Sequence, residues 1–535
     1  MRVRKALFAL SLAIPLWAQT APIGTIQEPS LRAHLAFLSD DLLEGRSMGQ
    51  RGGDLAVAYL ETQLRVLGLQ PGNGTSYRQP IRFTGARALA GQSSLRFTGK
   101  GTSTSFSCGP EILFNTTTGK PEITFDAPLV FVGYGIAAPE ERWDDYKGLD
   151  VKGKLLVMLV NEPGPTKEEP RRFEGKALTH YGRWTYKFEE AKRRGAVGAL
   201  LVHTGSHGVY GWDVVQTGHS GERFHLAEEP GGGVPFAGWI QAENARQLFA
   251  TTGTELDSLM ASAQSRDFKP VALALNLEGT LVNQLRHLDP SNVVGLVPGT
   301  DPKLKDEVVI YSAHWDHLGV GLGGSHNGAV DNASGCAALL AMAAQAVRHP
   351  VKRTQMFLFP CGEEAGLLGA SGYVAKPLVP LKQTVAVLNM DCLNFAGRTR
   401  DIGLQGAERT SLGEAGRKVA QRMGLRVRKE APDTQGLYFR ADHFAFAKVG
   451  IPAFTLSMVL GAGPAWDFLD PAQRIQAEAY VKGQYHTSKD RYDPAWDLGG
   501  MVDQAQFLLN LGRELGNAPG RPTWKSGDPL PAKPR

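Results

Sequence analysis

Between Leu31 and Leu67 apolar residues recur at helical spacing: Leu31, Leu35, Leu38 and Leu42, then Leu55, Tyr59, Leu60, Leu64 and Leu67, with Gly68 placed as a stop. From roughly Ser105 to Phe268 the pattern shortens to β-rich runs, LVFVGYGI and KGKLLVMLV. One charged helical stretch, KFEEAKRRGA, and a further apolar run, VGALLVH, follow them. After Asn292 short apolar runs alternate with helical ones. Val308 to Tyr311, Gln355 to Phe359 and Val385 to Met390 read as strands; Ser334 to Arg348 and SLGEAGRKVAQRMGL, closed by Gly424, read as helices. This alternation predicts an α/β chain with a β-rich insert.

The candidate strands empty into loops rich in His, Asp and Glu. In open α/β sheets the ligand crevice lies beyond the carboxyl ends of the strands, so these loops are expected to converge. The candidates are His314, Asp331, Glu363, Glu364, Asp391 and His486, an imidazole and carboxylate set without thiolate. Such ligands suit Zn²⁺, with Co²⁺ or Mn²⁺ as substitutes. Five of them hold two metals if one carboxylate bridges, which leaves one Glu beside a metal-activated water, the arrangement hydrolysis requires. Asp316, two residues after His314, is expected to hold the second ring nitrogen of that His. Singly, each residue has a structural reading: an EE pair is commonly a solvated face, and DNASG a helix cap made by Asn332 or Ser334. The ordered set is what points to a site.

The order HxD, DNASG, GEE, NMD and YH resembles the M28 family of co-catalytic zinc exopeptidases. That resemblance implies an α/β fold with a mixed central sheet flanked by helices, one Zn²⁺ held by His314, Asp331 and Asp391, and a second held by Asp331, Glu364 and His486. Asp331 would bridge, Glu363 would be the general base, and a hydroxide bridging the metals would attack the peptide carbonyl. A cis peptide between Asp331 and Asn332 is also implied. The related M20 peptidases insert a whole domain between their last two ligands; only 95 positions separate Asp391 from His486, which favours M28. GLYFRADHFAFAKVGIPAFTLS is similar to the family's Tyr, SDH and GIPA run, with Ala441 where Ser is commoner. Offset from Asp442-His443 makes Tyr438 the first choice for a phenol that stabilises the oxyanion, and Tyr485 the second. LLEGRSMGQRGG resembles the segment that opens M28 domains, and GYGI, DYKGLDVKGK and AKRRGAVGALLVH resemble a protease-associated (PA) domain, which implies a wall or lid over the cleft.

The expected organisation is a signal peptide over 1–18, peptidase sequence over 19–104, a PA insert over 105–268, the catalytic domain over 269–517 and a loosely attached tail over 518–535. The basic start and apolar run of MRVRKALFALSLAIPLWA carry the expectation of export, periplasmic or extracellular. No later run reaches ~18 apolar residues, so no stable membrane insertion is expected. Losing Arg2, Arg4 and Lys5 takes the formal charge from +5 to +2, which gives no case for nucleic acid. Peptides are the expected partners. Cys108, Cys336, Cys361 and Cys392 lack CxxC spacing; buried free thiols are expected, with a disulfide left open. His203, His207, His219 and His225 read as solvated or substrate-facing, and Tyr210 and Trp212 as packing or cleft walls. An aminopeptidase is the leading reading. A single-zinc glutaminyl cyclase, a carboxypeptidase for acidic C-termini and an inactive scaffold are the alternatives; the last would be expected to have lost ligands that here are all present.

Overall fold

The computed structural model describes residues 24–99, 101–205, 211–219, 221–227, 233–321, 324–428, 432–456, 471–528 and 530. The segment 1–18, His207 and Tyr210 lie outside these residues. Among the described residues the chain builds two large sheets, besides three two-stranded ones, and each large sheet is packed by its own apolar clusters. The first runs Gln70–Pro71, Ser291–Val297, Thr354–Phe359, Val308–Ser312, Thr384–Met390, Ala453–Leu456 in spatial order. Val308–Ser312 is parallel to both neighbours, with Tyr311 opposite Phe357 and Leu388, whereas Ser291–Val297 pairs antiparallel to Thr354–Phe359. All seven residues of Thr384–Met390 are buried, as a strand covered on both faces requires. Helices Glu28–Leu38, Arg51–Leu67, Ser334–Arg348 and Gly499–Asn517 pack their leucines into the core on one face. Gly68 closes its helix at φ 82°, a left-handed position that favours glycine.

Among the described residues the second sheet has ten strands and reaches beyond 105–268 at both ends. Phe83–Ala88 pairs with the far end of Val271–Leu288, and that 18-residue strand leads directly into Ser291–Val297 of the first sheet. Burial alternates along part of Val271–Leu288, whereas Leu155–Leu159 and Gly198–His203 are buried throughout. Leu155–Leu159, Gly198–His203 and Phe236–Gln241 run parallel at its centre, and helix Trp184–Arg193 covers them.

Residues 518–528 depart from the loose tail that Pro and Lys composition suggests. The Arg353 guanidinium, buried, donates to the carbonyls of Leu515, Ala518 and Gly520. The Trp524 indole donates to the Gly450 carbonyl at 2.8 Å, and its ring packs against a side core that includes Phe444 and Ile451. Backbone carbonyls that a helix end would leave to water are thus taken by one buried cation. Among the described residues, no helix is long and apolar enough to cross a membrane.

Candidate metal centre

Three neighbouring parallel strands deliver the first part of the site. Val308–Ser312 runs into His314, Thr354–Phe359 into Glu363 and Glu364, and Thr384–Met390 into Asp391. Asp331 lies in the turn Ala329–Ala333 that opens helix Ser334–Arg348, and His486 follows helix Pro471–Gly483. The last two therefore arrive from helix ends, not from the strand ends expected of every member. The Asp331-Asn332 peptide is cis. Asn332 caps the helix, its Oδ1 accepting from the Gly335 N–H at 3.0 Å.

The six groups meet. His314 Nε2 stands 3.4 Å from Asp331 Oδ1, 3.5 Å from Asp391 Oδ1 and 4.0 Å from Glu363 Oε2. On the other side His486 Nε2 stands 3.1 Å from Asp331 Oδ2 and 3.4 Å from Glu364 Oε2. Asp331 thus offers one oxygen to each imidazole. The adjacent glutamates diverge, Glu363 toward His314 and Glu364 toward His486. His314 Nε2 is buried and makes no hydrogen bond. Its spacing to the carboxylates is close to the edge of about 3.3 Å expected between two ligands on one tetrahedral Zn²⁺. The surrounding charge agrees, because Asp316, Asp331, Glu363, Glu364, Asp391 and Asp442 crowd around His314, His317 and His486. Six carboxyls against three imidazoles in a buried setting call for added cations.

Electrostatics separates the carboxyls. Burial raises Glu363 well above the ordinary glutamate range, and Asp391, Glu364 and Asp442 add to this while His314 opposes it. Burial works in the same direction on Asp331, yet His314 and His486 hold it well below its usual value. Asp442, fully buried with neither carboxyl oxygen hydrogen-bonded, is pushed up to about 8 by burial.

Two expectations change on contact with the geometry. Asp316 does not hold His314 through its side chain: the Nδ1 partner is the Asp316 backbone carbonyl at 3.1 Å, and the carboxylate Oδ1 is 3.8 Å away. That Oδ1 instead accepts from the Glu363 N–H at 3.2 Å, because the tight HxD turn brings the main chain nearer to the ring. Tyr438 packs in the side core with Phe439 and Phe444, 3 % exposed, its hydroxyl donating to the Ala453 carbonyl. Tyr485 stacks on His486 at 3.9 Å between ring centroids.

Three residues at the site were not singled out from sequence. His317 Nδ1 lies 2.7 Å from Glu364 Oε1. Asp490 accepts from the Val330 and Asp331 N–H groups and from Tyr480 Oη, fixing the turn that carries Asp331. Arg46, 1 % exposed, donates to the carbonyls of Trp315, Asn327 and Gly328, tying the opening segment to the loop between His314 and Asp331. The i, i+3 pair in HWDH and the acid four residues after His486 were available signals; Arg46 lies in LLEGRSMGQRGG, but nothing in that stretch marks its contacts.

The described cysteines are free, with Cys336, Cys361 and Cys392 buried and Cys108 exposed. Cys392 offers a sulfur beside Asp331 and Asp391. His203 and His225 are buried rather than solvated, and His203 and Trp212 pack edge to face 5.6 Å apart.

Comparison with known proteins places these features. Residues 292–509 match the model of Peptidase family M28. A probable leucine aminopeptidase of Trichophyton verrucosum is 28% identical over 241 residues, 42% of this chain and 58% of the relative. A vacuolar membrane protease of Saccharomyces cerevisiae is 33% identical over 96 residues, 18% of this chain and 9% of the relative. The chain therefore spans less than two thirds of either. The structure of an aminopeptidase from Aneurinibacillus sp. strain AM-1 is similar in fold, with a TM-score of 0.52 and 18% identity over 93% of this chain and 95% of that one.

Proposed function

We propose, from the match of residues 292–509 to the model of Peptidase family M28, that the chain is an exported zinc-dependent exopeptidase that removes N-terminal residues from peptides. The observation that carries the two-ion reading is the Asp331 carboxylate, one oxygen 3.4 Å from His314 and the other 3.1 Å from His486. His314, Asp331 and Asp391 would hold one Zn²⁺, and Asp331, Glu364 and His486 the other. When bound, the pair would supply Lewis-acid polarisation of the scissile carbonyl and a more acidic water.

The chain's own groups account for the remaining chemistry. Glu363, raised by burial and by three neighbouring acids, accepts the proton of the attacking water and passes it to the leaving amine. Asp316 orients this base through its backbone N–H. Tyr485, stacked on His486, is the phenol assigned here to donate to the developing oxyanion. The second sheet is read as a PA-type insert forming one wall of the cleft. Support comes from its docking on the loops beside the site, where the Leu178 N–H donates to the Asp433 carbonyl at 2.7 Å and Lys448 pairs with Glu189.

A panel of aminoacyl and C-terminally extended peptides, assayed with and without chelator, tests the reading. Release of N-terminal residues that chelator abolishes and zinc restores is expected. Release from the C-terminus, or cyclisation of glutaminyl peptides with one zinc per chain, would replace it.

A further inference from the structure

His317 has no place in the mechanism above, yet its side chain is fully buried among the groups that form the second ion's side of the site. Its Nδ1 lies 2.7 Å from Glu364 Oε1, while the other oxygen of that carboxylate, Oε2, faces His486 Nε2 at 3.4 Å. The ring is fixed from behind. Gly328, at φ 56°, lies so close that a Cβ there would come within 2.6 Å of the ring carbons Cγ and Cδ2. On another side the His317 and His486 rings meet edge to face, 5.7 Å apart. A glutamate has three side-chain torsions and two equivalent oxygens, so left alone it would sample several ways of presenting them.

We propose that His317 is a positioning residue: its Nδ1–H holds Oε1 of Glu364 so that Oε2 alone is presented to the His486 side of the site. This assignment rests on the two-ion reading above. A hydrogen bond from behind a ligating carboxylate fixes its orientation, and loss of such a partner typically weakens metal affinity by about 10–100-fold. Because Glu364 serves one side of the site and Asp391 the other, the effect falls on one equivalent.

The test is zinc titration of chelated protein, unaltered and as His317→Ala and His317→Asn, with thermal unfolding of the metal-free forms as a fold check. Unaltered protein is expected to take up two equivalents. His317→Ala keeps the first affinity and weakens the second about 10–100-fold. His317→Asn, whose amide N–H sits near the place of Nδ1, recovers most of the loss, and cobalt-loaded protein shows the same order in its visible bands. An unchanged second equivalent in His317→Ala overturns the proposal. So does complete loss of that equivalent in both variants, which would make the imidazole a direct ligand. Should His317→Ala fail to fold, a weakened second equivalent in His317→Asn that matches complete ligand loss is likewise contradictory. Fewer than two equivalents in the unaltered protein overturns the two-ion reading itself, and this assignment with it.

Discussion

Glu363 and Glu364 are chemically identical neighbours whose environments give them different tasks. Glu364 is held between His317 and His486, whereas Glu363 faces His314 at 4.0 Å and is raised by burial. Glu363→Gln is therefore expected to keep its metal and lose at least ~100-fold in kcat, the usual size of a general-base effect; steady-state kinetics with elemental analysis checks both halves. Asp331→Asn, which weakens the carboxylate shared by two imidazoles, should instead lower metal content before any effect on the base is measurable. The tyrosines separate in the same way. Tyr485→Phe is expected to lower kcat by roughly 100-fold, the loss of one oxyanion donor. Tyr438→Phe should leave kcat nearly unchanged and cost about 1 kcal/mol of stability for its bond to Ala453. Comparable kcat losses in both would reverse the assignment. Sequence offset pointed to Tyr438 first because spacing reports position along the chain, while side-chain direction depends on the core that Phe439 and Phe444 build around it.

The elements of the peptidase sheet follow from apolar runs that the sequence displays openly: Thr354–Phe359 and Thr384–Met390 differ from their expected spans by a residue at one end. Helix Trp184–Arg193 shows the limit of that approach. Its KFEEAKRR pattern reads as a charged helix, yet Lys187 is fully buried, donating to the Tyr134 and Asn161 carbonyls, and Glu190 is 1 % exposed. Burial of a charge depends on partners distant in sequence, and those partners come from other strands. The same reasoning applies to Arg409. Its guanidinium pairs with Glu174 at 2.9 Å and Asp528 of the C-terminal segment at 3.1 Å, and lies over the Tyr438 ring. Arg409→Ala is expected to cost about 1–3 kcal/mol, since both pairs are only partly buried. Limited proteolysis should then cut within 160–180 or after 518 earlier than in the unaltered protein. An unchanged cleavage pattern and melting temperature would show that the insert and the C-terminal segment are held by other contacts.

At the scale of the whole molecule, the fold brings groups from positions 314, 331, 363, 364, 391 and 486 into one cluster, buried or half-buried except at His486. Ordered motifs made the cluster legible without coordinates. Arg46 and Asp490 were not, because each acts on main-chain groups brought near only by folding. The extent of the second sheet was not legible, since it pairs Phe83–Ala88 with Val271–Leu288, strands far apart in sequence, and the chain then turns into Ser291–Val297 of the first sheet. Chelation is expected to abolish peptide hydrolysis, and added zinc to restore it. The central claim is that these side chains surround a pair of ions. Zinc bound per chain, measured by titrating the chelated protein, tests it most directly: two equivalents are predicted, and saturation at one or none would contradict the account.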